Sequence, residues 1–487
     1  RISDGTFTVN STDDAFHVSS AETADVGYMY VAGGKFTVKT DDDGLHCTSQ
    51  MIIDGGTFDI TASEGIEGTS VTINDGDITI SASDDGINAA SKSTYYNPEI
   101  IINGGKITIS MGQGDTDAVD SNGSITVNGG TISINSGEDG IQADYGFTSK
   151  NSPSITIVSG TEGIKANTMT EDAWYYTDET AMTTATIEGY IDIDGCTFNI
   201  TSKEDAVKAA GYIDISGGDF TIVARDGAKS MDGIQSGVSN DAETVYSTGN
   251  INISGGTFNI TTNDGTSGKT STESCKGIKA VNAINISGGE FTINSYDDAI
   301  HSNYRVAITG GTYEIASGDD GVHADYWLTL GKDGGADDDY TMNISTSYEG
   351  LEGSVIEYLS GTTTLYSTDD GVNAAGDYEE NGTYQGTGLL SEQSKIRVRV
   401  VSRNANDRFD RAFWERKLQW AWEYRRTVMG HTALPGCEPD TNCCRVLFSE
   451  ADGFPGLVVD RYGAVLVAQV NSYGMERLKP LLYPLLL

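Results

Sequence analysis

Gly55-Gly56-Thr57-Phe58-Asp59-Ile60-Thr61-Ala62-Ser63-Glu64-Gly65-Ile66-Glu67-Gly68 is the stretch on which the fold turns. A glycine pair marks a turn, and Phe58, Ile60 and Ala62 then alternate with polar residues at the period of a strand. An acid, a glycine and an aliphatic residue close the unit as Glu64-Gly65-Ile66. The strand opening recurs as Gly129-Gly130-Thr131-Ile132-Ser133-Ile134 and as Gly288-Gly289-Glu290-Phe291-Thr292-Ile293.

The closing triplet, an acid followed by Gly or Ala and an apolar residue, recurs along most of the chain. Its acids are Asp14, Asp43, Glu64, Asp85, Asp117, Asp139, Glu162, Asp205, Asp232, Asp298, Asp320, Glu349 and Asp370, and Lys276 replaces the acid once. Successive starts are commonly 21 to 23 residues apart, and the wider gaps read as loops inserted into a unit. A unit this short cannot bury its inward Ile, Val and Phe alone, whereas stacking the next unit on it makes a continuous core. Leucine-rich repeats, propeller blades and glycine-aspartate calcium rolls have other periods or signatures. The expected architecture is therefore mainly β: a right-handed parallel β-helix, a solenoid of about fourteen rungs with insertions, over residues 1–376.

Composition divides the chain in two. The formal charge is −41, from 30 Lys/Arg and 71 Asp/Glu, which argues against nucleic acid as the main partner. Residues 388–487 hold 14 Lys/Arg and 11 Asp/Glu, leaving 16 and 60 to everything before them. Eleven arginines and five of the seven prolines lie in that last stretch. The reading is a β-helix over 1–376, a junction over 377–393 and a small α+β fragment over 394–487. Cys47, Cys196 and Cys275 are isolated among the repeats, and Cys437, Cys443 and Cys444 lack metal-ligand or redox spacing. No apolar run approaches the length of a membrane span. The chain starts at Arg1 inside a rung, so a missing signal peptide carries no information about targeting.

Stacked parallel rungs lie about 4.8 Å apart, so equivalent residues form ladders. The acid position makes a column of carboxylates, doubled on many rungs as Asp42-Asp43, Asp84-Asp85, Glu138-Asp139, Asp297-Asp298, Asp319-Asp320 and Asp369-Asp370. Unit charges 5 Å apart repel by roughly 3 kcal/mol at an effective dielectric of 20. Calcium, which accepts flexible oxygen geometry, is the expected remedy, with these aspartates as its ligands. The plainer possibility is a solvated acidic face whose aspartates cap turns.

Two residues past each Gly or Ala runs a second ladder. It reads His17, His46, Glu67, Asn88, Asp120, Gln142, Lys165, Lys208, Gln235, Lys279, His301, His323, Glu352 and Asn373. Hydrogen-bonding side chains in a stripe suit sugar hydroxyls and uronates, which makes His46, Asn88, Gln142, His301, His323 and Asn373 candidate glycan contacts. Any outward β-helix position is polar by default, however. Aromatic residues at turns and insertions add stacking planes for sugar rings: Tyr95-Tyr96, Tyr145 with Phe147, Trp174-Tyr175-Tyr176 and Tyr326-Trp327. Folding of these rings back over the β-helix edge competes with that reading.

The alternation of Asp84-Asp85-Gly86-Ile87-Asn88-Ala89 with Glu-Gly-Ile-Glu-Gly at 64–68, Glu-Gly-Ile-Lys-Ala at 162–166 and Glu-Gly-Leu-Glu-Gly at 349–353 resembles the bacterial parallel β-helix family of carbohydrate-binding domains. That family is related in shape to pectate lyases. The resemblance implies a secreted or cell-surface protein that binds calcium and a plant-type polysaccharide, cellulose or pectin, without an established catalytic role. A pectate-lyase-like or polygalacturonase-like enzyme is the competing reading. Such catalysis needs one departure from the repeat, whereas the acid pair here recurs on many rungs. Within residues 1–376 only Arg225 and Arg305 are internal arginines, and no Arg-x-Lys or Gly-His-Gly element is present there, so no catalytic residue is assigned.

In the last hundred residues, 410–428 has helical spacing of Phe413, Trp414, Leu418, Ala421 and Trp422, with Asp407 or Asp410 as its start. Strands are expected at 394–400, 445–448 and 465–470, and a new helix near Met475. Ser394-Lys395-Ile396-Arg397-Val398-Arg399-Val400 and Glu450-Ala451-Asp452-Gly453-Phe454-Pro455-Gly456-Leu457-Val458-Val459-Asp460-Arg461-Tyr462-Gly463 are similar to the PUA exit and middle domain of S-adenosylmethionine-dependent large-subunit ribosomal RNA cytosine methyltransferases. The part present has no glycine-rich loop for S-adenosylmethionine and no catalytic cysteine, so it is expected neither to bind that cofactor nor to methylate. The resemblance puts this tail with cytoplasmic RNA-modifying enzymes. A glycan-binding surface beside an RNA-enzyme fragment reads as a join between two unrelated coding sequences.

Overall fold

The computed structural model describes residues 1–20, 27–112, 116–169, 187–226, 230–237, 249–266, 273–374, 387–390, 398–402, 409–430 and 443–486. Each rung contributes up to three short strands, and each strand pairs in parallel with its equivalents in the rungs before and after. Thr57–Ala62 lies between Lys35–Lys39 and Asp77–Ala82. Ile66–Gly68 lies between Leu45–Cys47 and Ile87–Ala89, and Ser70–Ile73 between Gln50–Ile53 and Glu99–Ile102. The result is a parallel β-helix with three continuous ladders around a long hydrophobic core, with a small satellite cluster of Ala224, Met231, Cys275 and Tyr296.

Alternation along each strand decides what enters that core. In Thr57–Ala62 the odd residues face water while Phe58, Ile60 and Ala62 are buried. The register stacks Phe7, Phe36 and Phe58 on one another, continues through Ile78, Ile107, Ile132 and Ile155, and returns to rings at Phe198, Phe220, Phe258, Phe291 and Tyr313. The rings of Phe220, Phe258, Phe291 and Tyr313 stack nearly parallel, at 4.6, 4.7 and 4.8 Å between successive centroids. The small residue of the closing triplet also has a steric cause. A Cβ on Gly65 would stand 2.5 Å from the Gly86 carbonyl oxygen and 2.5 Å from Ile80 Cγ2. The second residue of the glycine pair is needed for another reason: Gly56 turns the chain at φ +122°, a conformation L side chains rarely adopt.

The chain divides into two compact units, Arg1–Asp377 and Tyr378–Leu487. In the second unit, Thr387–Leu390 pairs antiparallel with Val398–Ser402. Cys443–Phe448, Leu457–Tyr462 and Val465–Val470 form an antiparallel three-stranded sheet. Helices Arg411–Gly430 and Tyr473–Leu486 complete it. Of the two expected helix starts, Asp410 is the one used: its Oδ1 accepts the Phe413 N–H at 2.8 Å. Trp414, Leu447, Phe454, Val459 and Met475 form this unit's own core. Ser394 to Arg397 and Asp407 lie outside the described residues. Among the described residues, no helix is long and apolar enough to cross a membrane.

Candidate functional site

The closing triplet leads into a three-residue strand whose ends point inward and whose middle residue points out. In Ile87–Ala89, Ile87 and Ala89 are buried and Asn88 is half-buried. The strand register aligns all fourteen members of the second ladder, from His17 to Asn373, in one column. The acid column runs beside it, three residues earlier on each rung.

The acid column is not an open face. Asp43, Asp117, Asp139, Glu162, Asp205, Asp232, Asp298, Asp320 and Glu349 are buried. The carboxylates are engaged between rungs: the Asp139, Glu162, Asp232 and Asp320 backbone N–H groups donate to Asp117, Asp139, Asp205 and Asp298 at 2.7, 2.9, 2.7 and 3.0 Å. The expected pairs are also unequal. Asp42, Asp84 and Asp369 are exposed, as is Asp370 on the last rung, and Asp85 and Asp319 are half-buried. Asp297 is buried beside Asp298, and the Lys276 ammonium contacts both. Lys276, the one cation at the acid register, therefore neutralises the rung that follows it.

The two ladders interlock. Lys165 Nζ lies 3.0 Å from Asp139, Lys208 Nζ lies 2.7 Å from Glu162 and 3.0 Å from Asp205, and Lys279 Nζ lies 3.0 Å from Asp232. Asn88 donates to Glu64, Gln142 to Asp120 and Asn373 to Glu349. His46 lies 3.0 Å from Asp14, His301 2.9 Å from Asp298 and His323 3.3 Å from Asp320. Burial pushes the His323 imidazole down, but Asp298, Asp320 and Glu352 outweigh it and carry the ring up to about 10. Much of this column's hydrogen-bonding capacity is thus satisfied internally.

Among the described residues Lys92 pairs with Glu67, but no lysine pairs with Asp85, Asp117 or Asp120. Burial, reinforced by neighbouring carboxylates, pushes Glu64 up to about 8, Asp85 to about 7, Asp117 to about 8 and Asp120 to about 6. Burial therefore disfavours the charged form of these carboxyls.

A groove that was not expected lies on the ladder built from Ser70–Ile73 and its equivalents. Its volume is about 750 Å³, and it is lined by Asp192, Asp194, Asp214, Ser216, Asn252, Ser254, Asn285, Ser287, Ala307 and Thr309, with Lys150 nearby. Its floor is ordered by hydrogen bonds: Asn252 donates to Asp214 at 2.7 Å and Asn285 to Asn252 at 2.8 Å. The turn column along its edge reads Asp54, Asn74, Asn103 and Asn128 in the first half of the helix, where the side chains hydrogen-bond in series. In the groove that column becomes Asp194, Ser216, Ser254, Ser287 and Thr309. Smaller side chains leave the space.

Two residues before Asp192 and Asp214 on the same strand faces stand Tyr190 and Tyr212, stacked at 5.5 Å and 12°. Tyr145 packs edge-on against Tyr190 at 5.3 Å. The same register continues through Asn250, Ala283 and Arg305 to Trp327. Tyr326 is exposed and stacks with Tyr304, while Trp327 donates its Nε1–H to Glu357 at 3.2 Å. One expected aromatic contact is corrected: Phe147 is fully buried in the core, because its strand alternation turns it inward. Trp174, Tyr175 and Tyr176 lie outside the described residues. The sequence signal for the groove was the Tyr-Ile-Asp-Ile repeat at 190–193 and 212–215.

Comparison with known proteins bears on both units. A model of carbohydrate-binding domain-containing proteins matches residues 1–116, 114–264 and 230–321. The chain belongs to that family. The chain is also similar to ribosomal RNA large subunit methyltransferase I of Aliivibrio fischeri, 36% identical over 105 residues, 22% of this chain and 25% of that protein. The ribosomal RNA large subunit methyltransferase of Deinococcus radiodurans is 38% identical over 95 residues, 20% of this chain and 22% of that protein. The chain spans about a quarter of the length of these curated relatives.

Proposed function

We propose that the β-helix is a non-catalytic polysaccharide-binding surface, extracellular or at the cell surface, and that an extended glycan lies in the groove along Asp192 to Thr309. The observation that carries this is the pairing of a stacked Tyr190–Tyr212 platform with a hydrogen-bonded Asp/Asn/Ser floor. Sugar rings place C–H faces on aromatic planes while their hydroxyls exchange bonds with the floor. The histidine-containing ladder is the lesser candidate, because it is half-buried and its polar atoms are largely engaged with the acid column. Cellulose-like and pectin-like chains are the substrates to try first. Calcium fits best at Asp85, Asp117 and Asp120, where it would relieve the repulsion between carboxylates that no lysine offsets.

Affinity electrophoresis of the full chain through gels containing polygalacturonate or a soluble cellulose derivative tests the proposal. Retardation is expected, with Tyr212→Ala weakening it about tenfold, the equivalent of about 1.4 kcal/mol. Gln142→Ala is expected to leave it unchanged. Loss with Gln142→Ala and none with Tyr212→Ala would move the site to the interlocked ladders.

A further inference from the structure

The outward column is not a uniform polar stripe; it contains one four-rung module twice. The first copy is Asp14-Ala15-Phe16-His17, Asp43-Gly44-Leu45-His46, Glu64-Gly65-Ile66-Glu67 and Asp85-Gly86-Ile87-Asn88. The second is Asp298-Ala299-Ile300-His301, Asp320-Gly321-Val322-His323, Glu349-Gly350-Leu351-Glu352 and Asp370-Gly371-Val372-Asn373. The six rungs between them put Asp120, Gln142, Lys165, Lys208, Gln235 and Lys279 at that register, with no histidine.

Both copies gather the same residue types, although Glu67 faces His46 Nε2 where Glu352 faces His323 Nδ1. Asp14, His17 and His46 converge within 4.8 Å, as do Asp298, His301 and His323. Asp43, His46 and Glu67 do so again one rung on, matched by Asp320, His323 and Glu352. The second-rung histidine is common to both groups in each copy. His46 Nδ1 lies 3.0 Å from Asp14 Oδ2 and 3.1 Å from Asp43 Oδ2. His323 Nδ1 lies 3.3 Å from Asp320 Oδ2, 3.4 Å from Glu352 Oε2 and 3.7 Å from Asp298 Oδ2. Tetrahedral bonds of about 2.1 Å set donors about 3.4 Å apart, so these spacings suit ligands around a shared ion.

A separate observation points the same way. Among the described residues, Glu67 Oε2, His46 Nε2 and His301 Nδ1 are buried atoms without a hydrogen-bond partner, and Glu67 and His301 are 2% and 9% exposed. Orphaned polar atoms at this depth are costly unless something binds them. His301 Nδ1 is 2.9 Å from Asp298 Oδ2 but misdirected for an N–H bond.

We infer that each module holds one transition-metal ion of the zinc class, centred on His46 in the first copy and His323 in the second. Imidazole with carboxylate suits zinc and its neighbours, whereas calcium takes oxygen ligands. Lys92 contacts Glu67 in the first copy and Lys276 contacts Asp298 in the second, so Asp14, Asp43 and His46 carry the first ion and Asp320, His323 and Glu352 the second. These sites are distinct from the proposed calcium stretch and do not depend on glycan binding.

The test is equilibrium dialysis of the metal-stripped full chain against zinc in excess calcium. Cys437, Cys443 and Cys444 are replaced by Ser to remove the tail thiols from the count. Two zinc ions per chain are expected, falling to one with His46→Gln, to one with His323→Gln and to none with both. Cobalt loaded in place of zinc should lose half its visible absorption with each substitution. Far-UV circular dichroism of each variant confirms that the fold survives; where it does not, Glu352→Gln and Asp43→Asn are read instead. A count below one, or one unchanged by the paired substitutions, overturns the inference.

Discussion

Lys208→Met removes a cation from between two buried carboxylates without shortening the side chain. The ammonium lies 2.7 Å from Glu162 and 3.0 Å from Asp205, and those side chains are 5% and 4% exposed. At an effective dielectric of 20, each contact is an attraction of roughly 6 kcal/mol before desolvation and side-chain ordering are subtracted. Breaking a buried pair by deleting one partner costs about 3–5 kcal/mol, because the other charge stays behind. Lys208 is about one-quarter exposed and Lys165 still reaches Glu162 at 3.6 Å, so about 3 kcal/mol is expected for the variant at pH 8.

The loss depends on pH with a definite sign. Burial pushes the Glu162 carboxyl up, but Lys208 and Lys165 together hold it below the usual carboxylate range. Its stabilisation is present above the ordinary value of 4.5 and is lost as pH falls through the lowered one. Asp205 runs the other way: burial and Asp232 keep it at about 7 despite the ammonium, so a proton taken up there relieves part of the defect near neutrality. Both effects make the gap between wild type and variant widen with rising pH. Urea unfolding of the full chain at pH 4, 6 and 8 measures it. A gap that is absent, or flat across that range, would refute the reasoning.

Phe258→Ala opens the stacked Phe220–Phe258–Phe291 column and is expected to cost about 3–5 kcal/mol in the same assay. Asp117→Asn keeps an acceptor for the Asp139 N–H while removing a carboxyl that burial and Asp139 push up to about 8. The stabilising protonated form of Asp117 is lost as pH rises through that value, so the variant should melt higher than wild type at pH 9 without calcium, and calcium should raise its melting temperature less. Trp414→Ala removes the largest buried side chain of the second unit and should unfold that unit while leaving glycan retardation unchanged. Sequencing single long DNA molecules across codons 376–388 should show the two reading frames apart; one continuous frame would refute the join.

The β-helix was legible because Gly-Gly turns, period-two strands and the acid-Gly-Ile triplet each state the same backbone in different terms. The register of the second ladder followed residue for residue, since one three-residue strand per rung leaves no room for slippage. The depth of the acid column was not legible. Asp139 and Asp205 look like surface residues until the next rung's N–H groups and the lysines close over them. Phe147 was misplaced because a ring beside an insertion gives no sign of which way its strand alternates. The groove was missed because it is made by what is small. Ser216, Ser254 and Ser287 carry no chemistry alone, and only their stacking against the earlier asparagine column creates the space.

Hydroxyl-radical footprinting of the full chain, with and without saturating polygalacturonate or soluble cellulose derivative, tests the central claim most directly. Binding in the groove predicts protection of Tyr190 and Tyr212, with no change at His17 on the histidine-containing ladder. No protection anywhere, or protection at His17 with none at Tyr212, would contradict it.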